Sequence, residues 1–156
     1  MYAHIVVPLD GSAESERALP HAQDLAKTFG ATLHLVQVVS RSEELDLIRD
    51  GTGGFAAAEY SQDLAEELAR ARLNQADSYL KSVASGLEAQ GTRVETAVLE
   101  GAASENIIDY SREKGADLIV MSTRGQGGIQ RLLVGSTTDR VIRAGHLPVL
   151  AIPPED

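Results

Sequence analysis

Two rhythms of apolar and polar positions alternate along this chain. Five short runs have β-strand character: "HIVVPLD", "ATLHLVQVV", "TRVETAVL", "ADLIVMS" and "HLPVLAI". The segments between them carry a helical period. Ala69, Leu73, Ala76, Leu80, Val83 and Leu87 step by fours and threes, which puts them on one helix face. A first helix is predicted from Ser12 to Phe29, with Ser12 as N-cap, Glu14 and Glu16 in its first turns, and a kink at Pro20. Gly30, Gly91, Gly115 and Gly145 each follow a helix-like segment and precede a strand-like one, where a left-handed residue stops a helix. Lys27, Lys114 and Arg143 lie just upstream of three of them, where a cation suits the helix dipole.

Regular β-α alternation predicts an α/β fold: a single open parallel five-stranded sheet with helices on both faces. The unbroken apolar runs "IVV" and "LIVM" belong at its centre, and the partly alternating "TRVETAVL" nearer an edge. With right-handed crossovers this gives the order 3-2-1-4-5. The winding then reverses between strands 1 and 4, and a ligand crevice opens beyond their carboxyl ends. Pro8 to Ser12 and Met121 to Gly128 would border it. From Ser40 to Tyr60 the pattern lapses. Although Gly51, Gly53 and Gly54 could line a phosphate site, Glu43, Glu44, Asp46 and Asp50 would repel the anion, so a connecting loop is expected there.

Composition narrows the function. A chain of 156 residues with 43% hydrophobic content reads as one folded domain over 1–156. No apolar run reaches membrane-span length, no export signal opens the chain, and there is no cysteine; a cytoplasmic protein without a membrane partner is expected. A net charge of −9 argues against nucleic acid as a partner. The charge is uneven, however. From Ser122 to Leu147, Arg124, Arg131, Arg140 and Arg143 face Asp139 alone, which suits a small anionic ligand or an ordinary solvated helix face.

That same segment holds the candidate chemistry, "MSTRGQGGIQRLLVGSTTDRV". A Walker A loop is absent, and "GQGGIQ" ends in Gln130 and follows the fourth strand, which argues against a dinucleotide fingerprint. Instead Gly125 follows strand 4, nine residues intervene, and Gly135 and Ser136 open the last helix. A helix opening offers unpaired N–H groups to an anion, and Ser136 and Thr137 add hydroxyls. Ser136 could equally be a plain N-cap, but a cap alone does not require Gly125, Gly127 and Gly128.

These residues resemble the universal stress proteins, specifically the ATP-binding branch. The likeness covers nearly the whole chain, through "IVVPLDGSAESERAL", "LHLVQVV", "EGAASENIIDYSREKGADLIVMSTRG" and "RLLVGSTTDRVIRAGHLPVLAIP". The branch carries G-x-x-G, nine residues, then G-[ST]; here Ser122 replaces the first glycine, followed by Gly125, Gly135 and Ser136. The resemblance implies an adenine nucleotide alpha hydrolase-like fold that binds ATP, with Mg2+ or Mn2+, and reports stress or energy state to an unidentified protein partner. It implies Pro8, Leu9 and Asp10 beside the nucleoside, with Asp10 near the ribose hydroxyls, and Val38 at the adenine edge. Met121, Ser122, Arg124, Gly125 and Gly127 would flank ribose and phosphates, and Gly135, Ser136 and Thr137 would hold the phosphates. For Asp10 the residues alone favour a turn before Gly11.

No catalytic set is legible. His4, His21, His34 and His146 lack metal-ligand spacing; His4 and His34 are expected to decorate strands, and there is no G-x-S-x-G elbow. A sensor with at most slow hydrolysis fits best; the alternatives are a dimeric interaction protein without nucleotide, and a slow ATPase. The short apolar "PVLAI" at a sheet edge, bracketed by Pro148 and Pro153, invites a homodimer through the C-terminal strand, and the family resemblance points the same way.

Overall fold

Strand β1 (His4–Pro8) is buried through its middle and pairs in parallel on both sides, with β2 (Thr32–Val39) and β4 (Leu118–Ser122). Strand β3 (Arg93–Glu100) adds to β2 and β5 (Val149–Ile152) to β4, so the sheet runs β3-β2-β1-β4-β5, all parallel, in the expected order. The computed structural model describes residues 1–40, 55–123 and 134–155, the side chains of 55–61 excepted. The expected loop glycines Gly51, Gly53 and Gly54 lie outside the described residues. No helix among the described residues is long and apolar enough to cross a membrane.

Among the described residues five helices connect the strands: α1 (Ala13–Glu16), α2 (Ala18–Phe29), α3 (Phe55–Glu88), α4 (Ala103–Glu113) and α5 (Ser136–Ala144). Strand alternation divides the core between the two faces. Ile5, Val7, Leu33 and Leu35 pack with Ala18, Ala22 and Ala26 of α2 and with Leu80 and Leu87 of α3. Val6, Val36, Ile119 and Met121 pack with Ile107 and Tyr110 of α4 and Val141 of α5. Gly30 and Gly145 cap α2 and α5 in the left-handed conformation, at φ 68° and 65°, as their positions required.

Three local expectations change. The single helix from Ser12 to Phe29 is two. Ser12 does cap α1, its side chain accepting from the Ser15 amide, but the helix breaks at Arg17. Pro20 has no N–H for the carbonyl four residues back, and its ring crowds that carbonyl; the break therefore falls one turn before the proline, which then sits harmlessly in the first turn of α2. Helix α3 includes Phe55 to Tyr60, the end of the Ser40–Tyr60 stretch expected as a connecting loop, and so runs well ahead of the periodic face that starts at Ala69. Upstream of that face Leu64 and Leu68 are exposed, so good helix formers extend the helix without a core to pack on. His34 does not decorate a strand surface. It is buried, its Nδ1 3.2 Å from the Tyr110 hydroxyl and its Nε2 3.1 Å from His4 Nδ1, because its side of β2 is covered by α4.

Candidate functional site

The carboxyl ends of β1 and β4 meet α5 where the winding reverses. After β1 the chain continues through Leu9, whose amide donates to the Val36 carbonyl at 2.8 Å, and turns at Asp10 and Gly11. Gly11 has φ 85°, a left-handed backbone that the turn requires. The Asp10 carboxylate accepts from the Ser12 amide at 2.9 Å and from the Ser12 hydroxyl, and the Asp10 amide donates to Ser15 Oγ at 3.2 Å. Asp10 thus builds the turn that starts α1, as its sequence context alone favoured.

On the other side of the crevice, α5 opens at Gly135, which is its N-cap, and no side chain caps the helix. Ser136 is the first helical residue, so the plain N-cap reading of Ser136 does not hold. The Gly135 amide donates to the Thr123 carbonyl at 2.6 Å, while the first helical bond runs from Asp139 N–H to Gly135 O. The amides of Ser136, Thr137 and Thr138 therefore point out of the helix end without intrahelical acceptors. Thr138 is buried and its hydroxyl donates to the Ser122 carbonyl at 3.0 Å, clasping the helix to β4.

A cavity of about 250 Å³ lies between these parts. Pro8, Leu9, Asp10, Val38, Met121, Ser122, Gly135, Ser136 and Thr137 all border it, so nine of the residues singled out in the sequence share one wall system. Arg124, Gly125 and Gly127 lie outside the described residues. Arg140 and Arg143 do not border the cavity; Arg143 is instead paired with Asp139 at 2.9 Å on the exposed side of α5, so that part of the basic segment belongs to the helix surface. The residues that sequence reasoning missed are Ser15, Val36, Ala103, Ile107 and Thr138, while Thr123 lies within the expected Met121–Gly128 border, where the sequence gives it no role of its own. Ala103 and Ile107 sit four apart on one face of α4, a spacing visible in the sequence but indistinguishable there from ordinary core.

The walls divide by chemistry. Strand β2 and α4 supply apolar Val36, Val38, Ala103 and Ile107, while α5 supplies unpaired amides and hydroxyls. A planar apolar group suits the first side and an anion the second. A further cleft of about 830 Å³ adjoins, sharing Asp10, Val38 and Ala103 and reaching Arg72 and Tyr79 of α3. Burial raises the Tyr79 phenol above its ordinary range, with Glu16 adding to the effect, so it stays protonated. Among the described residues no group of three or more histidine, cysteine or acidic side chains could hold a metal ion.

The architecture is an open parallel α/β sheet with a crevice at its switch point. The chain belongs to the universal stress protein family, whose model matches residues 1–153. Universal stress protein MJ0531 of Methanocaldococcus jannaschii is 38% identical over 152 residues, covering 97% of this chain and 82% of that protein. The solved structure of hypothetical protein MJ0577 superposes with a TM-score of 0.76 at 25% identity, covering 100% of this chain and 99% of the other. The universal stress protein from Archaeoglobus fulgidus in complex with dAMP superposes at 0.60 and 23% identity, covering 97% and 98%, a likeness of fold.

Proposed function

We propose that this protein binds ATP in the crevice between β1, β4 and the opening of α5, and that the bound nucleotide reports stress or energy state to a protein partner. The observation that carries the reading is the uncapped start of α5 facing a cavity whose other side is apolar. Amides at a helix opening suit phosphates, and Val38 with Ile107 suits a base. The complex of the Archaeoglobus relative with dAMP is in keeping with this reading. The reading takes residues 1–156 as one cytoplasmic nucleotide-binding domain, with the triphosphate near Ser122, Arg124, Gly125, Gly127 and Gly135–Thr137 and the nucleoside near Pro8, Leu9, Asp10 and Val38. A Mg2+ or Mn2+ ion would enter with the phosphates, which supply the oxygen ligands that the described side chains do not cluster to provide. Hydrolysis, with no assigned base, would be slow.

Two observations favour the alternative of a dimeric interaction protein without nucleotide. Asp10 builds its own turn, and Gly135 is required by the backbone next to it, so neither residue needs a ligand to explain it. Denaturing the purified protein and identifying the released small molecules by mass spectrometry separates the readings. ATP or ADP in stoichiometric amount supports the first. An empty crevice that also ignores added ATP supports the second.

In either reading we infer a homodimer through β5. Among the described residues the strand has one neighbour, β4, and Leu150 is exposed. Pro148 and Ile152 turn their carbonyls to β4, accepting from Ile119 and Thr123. By strand alternation Val149 and Ala151 turn their N–H and C=O groups outward, where a second copy can pair.

A further inference from the structure

Thr123 follows β4 and is 5% exposed. Both its main-chain groups are engaged: the amide donates to the Ile152 carbonyl at 2.9 Å, and the carbonyl accepts from Gly135. Its Oγ1 is closed off from water and has no hydrogen-bond partner, although the residue borders the cavity. The two other buried hydroxyls on the same walls are accounted for. Ser15 Oγ donates to the Ser12 carbonyl at 2.9 Å, and Thr138 Oγ1 to the Ser122 carbonyl. A buried hydroxyl without a partner is costly and needs an explanation.

We propose that the Thr123 hydroxyl is a ligand-binding group that donates to a phosphoryl oxygen held at the opening of α5. The proposal rests on the nucleotide reading above. The main chain of Thr123 is pinned to β5 on one side and to Gly135 on the other, so rotation about Cα–Cβ is the one freedom left for bringing Oγ1 to a ligand in the cavity that the residue borders. The direct bond to Gly135 puts Thr123 beside the opening of α5, at the end of the cavity that Ser136 and Thr137 line. The hydroxyl is therefore placed to read phosphate and not base. A donor that gains its partner only when phosphate is present favours a phosphorylated ligand over the bare nucleoside.

Calorimetric titration of ATP and of adenosine into the wild type, Thr123→Val and Thr123→Ser tests this. Valine keeps the shape and removes the hydroxyl; serine keeps the hydroxyl. Thr123→Val should weaken ATP roughly tenfold or more, the usual effect of losing a hydrogen bond to a charged group, and leave adenosine unchanged. Its melting temperature should equal or exceed that of the wild type, because an unpaired buried hydroxyl is gone. Thr123→Ser should bind ATP like the wild type. Unchanged ATP affinity in Thr123→Val overturns the proposal, as does an equal loss in both variants or an equal loss for adenosine. Should Thr123→Val not fold, Thr123→Ala against Thr123→Ser makes the same comparison. A wild type that binds no ATP would instead sink the nucleotide reading and this proposal with it.

Discussion

The Gly135 amide and the Thr123 carbonyl lie 2.6 Å apart, and a Cβ built on Gly135 would meet that same carbonyl oxygen at 2.9 Å. The start of α5 is drawn so tightly onto the end of β4 that a side chain has no room, whatever the ligand. A glycine that looks like a phosphate-cradle residue is thus also a packing residue.

Gly135→Ala should accordingly destabilise the protein by about 1–3 kcal/mol, the usual cost of overpacking against a fixed backbone. The midpoint of urea unfolding measures it. A midpoint equal to that of the wild type would mean that α5 can shift away from β4. The larger Gly135→Val change would lose ATP binding through this distortion even if no phosphate touched the residue, so stability and affinity have to be measured together.

Acid should weaken the fold through His34. Burial lowers its pKa below the ordinary 6.5; Glu95, 3.5 Å away, pulls it up but is outweighed, while His4 and Lys114 also push it down. The unfolded chain then takes up a proton near pH 6.5 that the folded chain refuses. Stability from this site is complete above that pH and is lost as the pH falls from there toward the folded value. Urea midpoints measured from pH 7.5 down to 5 should decline in the wild type and decline less in His34→Gln. Equal slopes in the two proteins would show that His34 is not the group responsible.

Ala151→Pro should separate the dimer. It removes a backbone donor that points away from β4, so the β4–β5 ladder survives while edge pairing with a second copy loses a bond. Light scattering should give a dimer mass for the wild type at micromolar concentration and a larger monomer fraction for the variant. A monomeric wild type contradicts pairing through β5, and a fully dimeric variant moves the interface elsewhere.

The sheet order was legible because each strand run had its own pattern: "IVV" and "LIVM" are buried on both faces, and β3 is more exposed. The ends of helices were less so. Pro20 announced a disturbance, but its effect fell on Arg17, since a proline disrupts the carbonyl one turn before it. Phe55 to Tyr60 fall in the stretch whose pattern reads as a loop, and Leu64 and Leu68 are exposed, so helix propensity rather than a buried face carries α3 through this stretch. At the site, Ser136 looked like a cap because serine usually is one, whereas Gly135 holds that place. Thr123 fell within the expected border of the crevice, but the isolation of its hydroxyl was not legible, because that depends on which groups β5 and Gly135 take up, a property of the packed structure. His34 failed in the same way: strand alternation told which face it joined, not that Tyr110 would close over it.

The most direct measurement is the titration of ATP into nucleotide-free protein, followed by calorimetry and by thermal unfolding of the same samples. Binding in the crevice of β1, β4 and α5 predicts a saturable transition with one ATP per chain. It also predicts stabilisation by about 2.7 kcal/mol when free ATP reaches a hundred times its dissociation constant. No heat of binding and an unmoved melting temperature at millimolar ATP would contradict the account and leave the crevice as a relic inside an interaction protein.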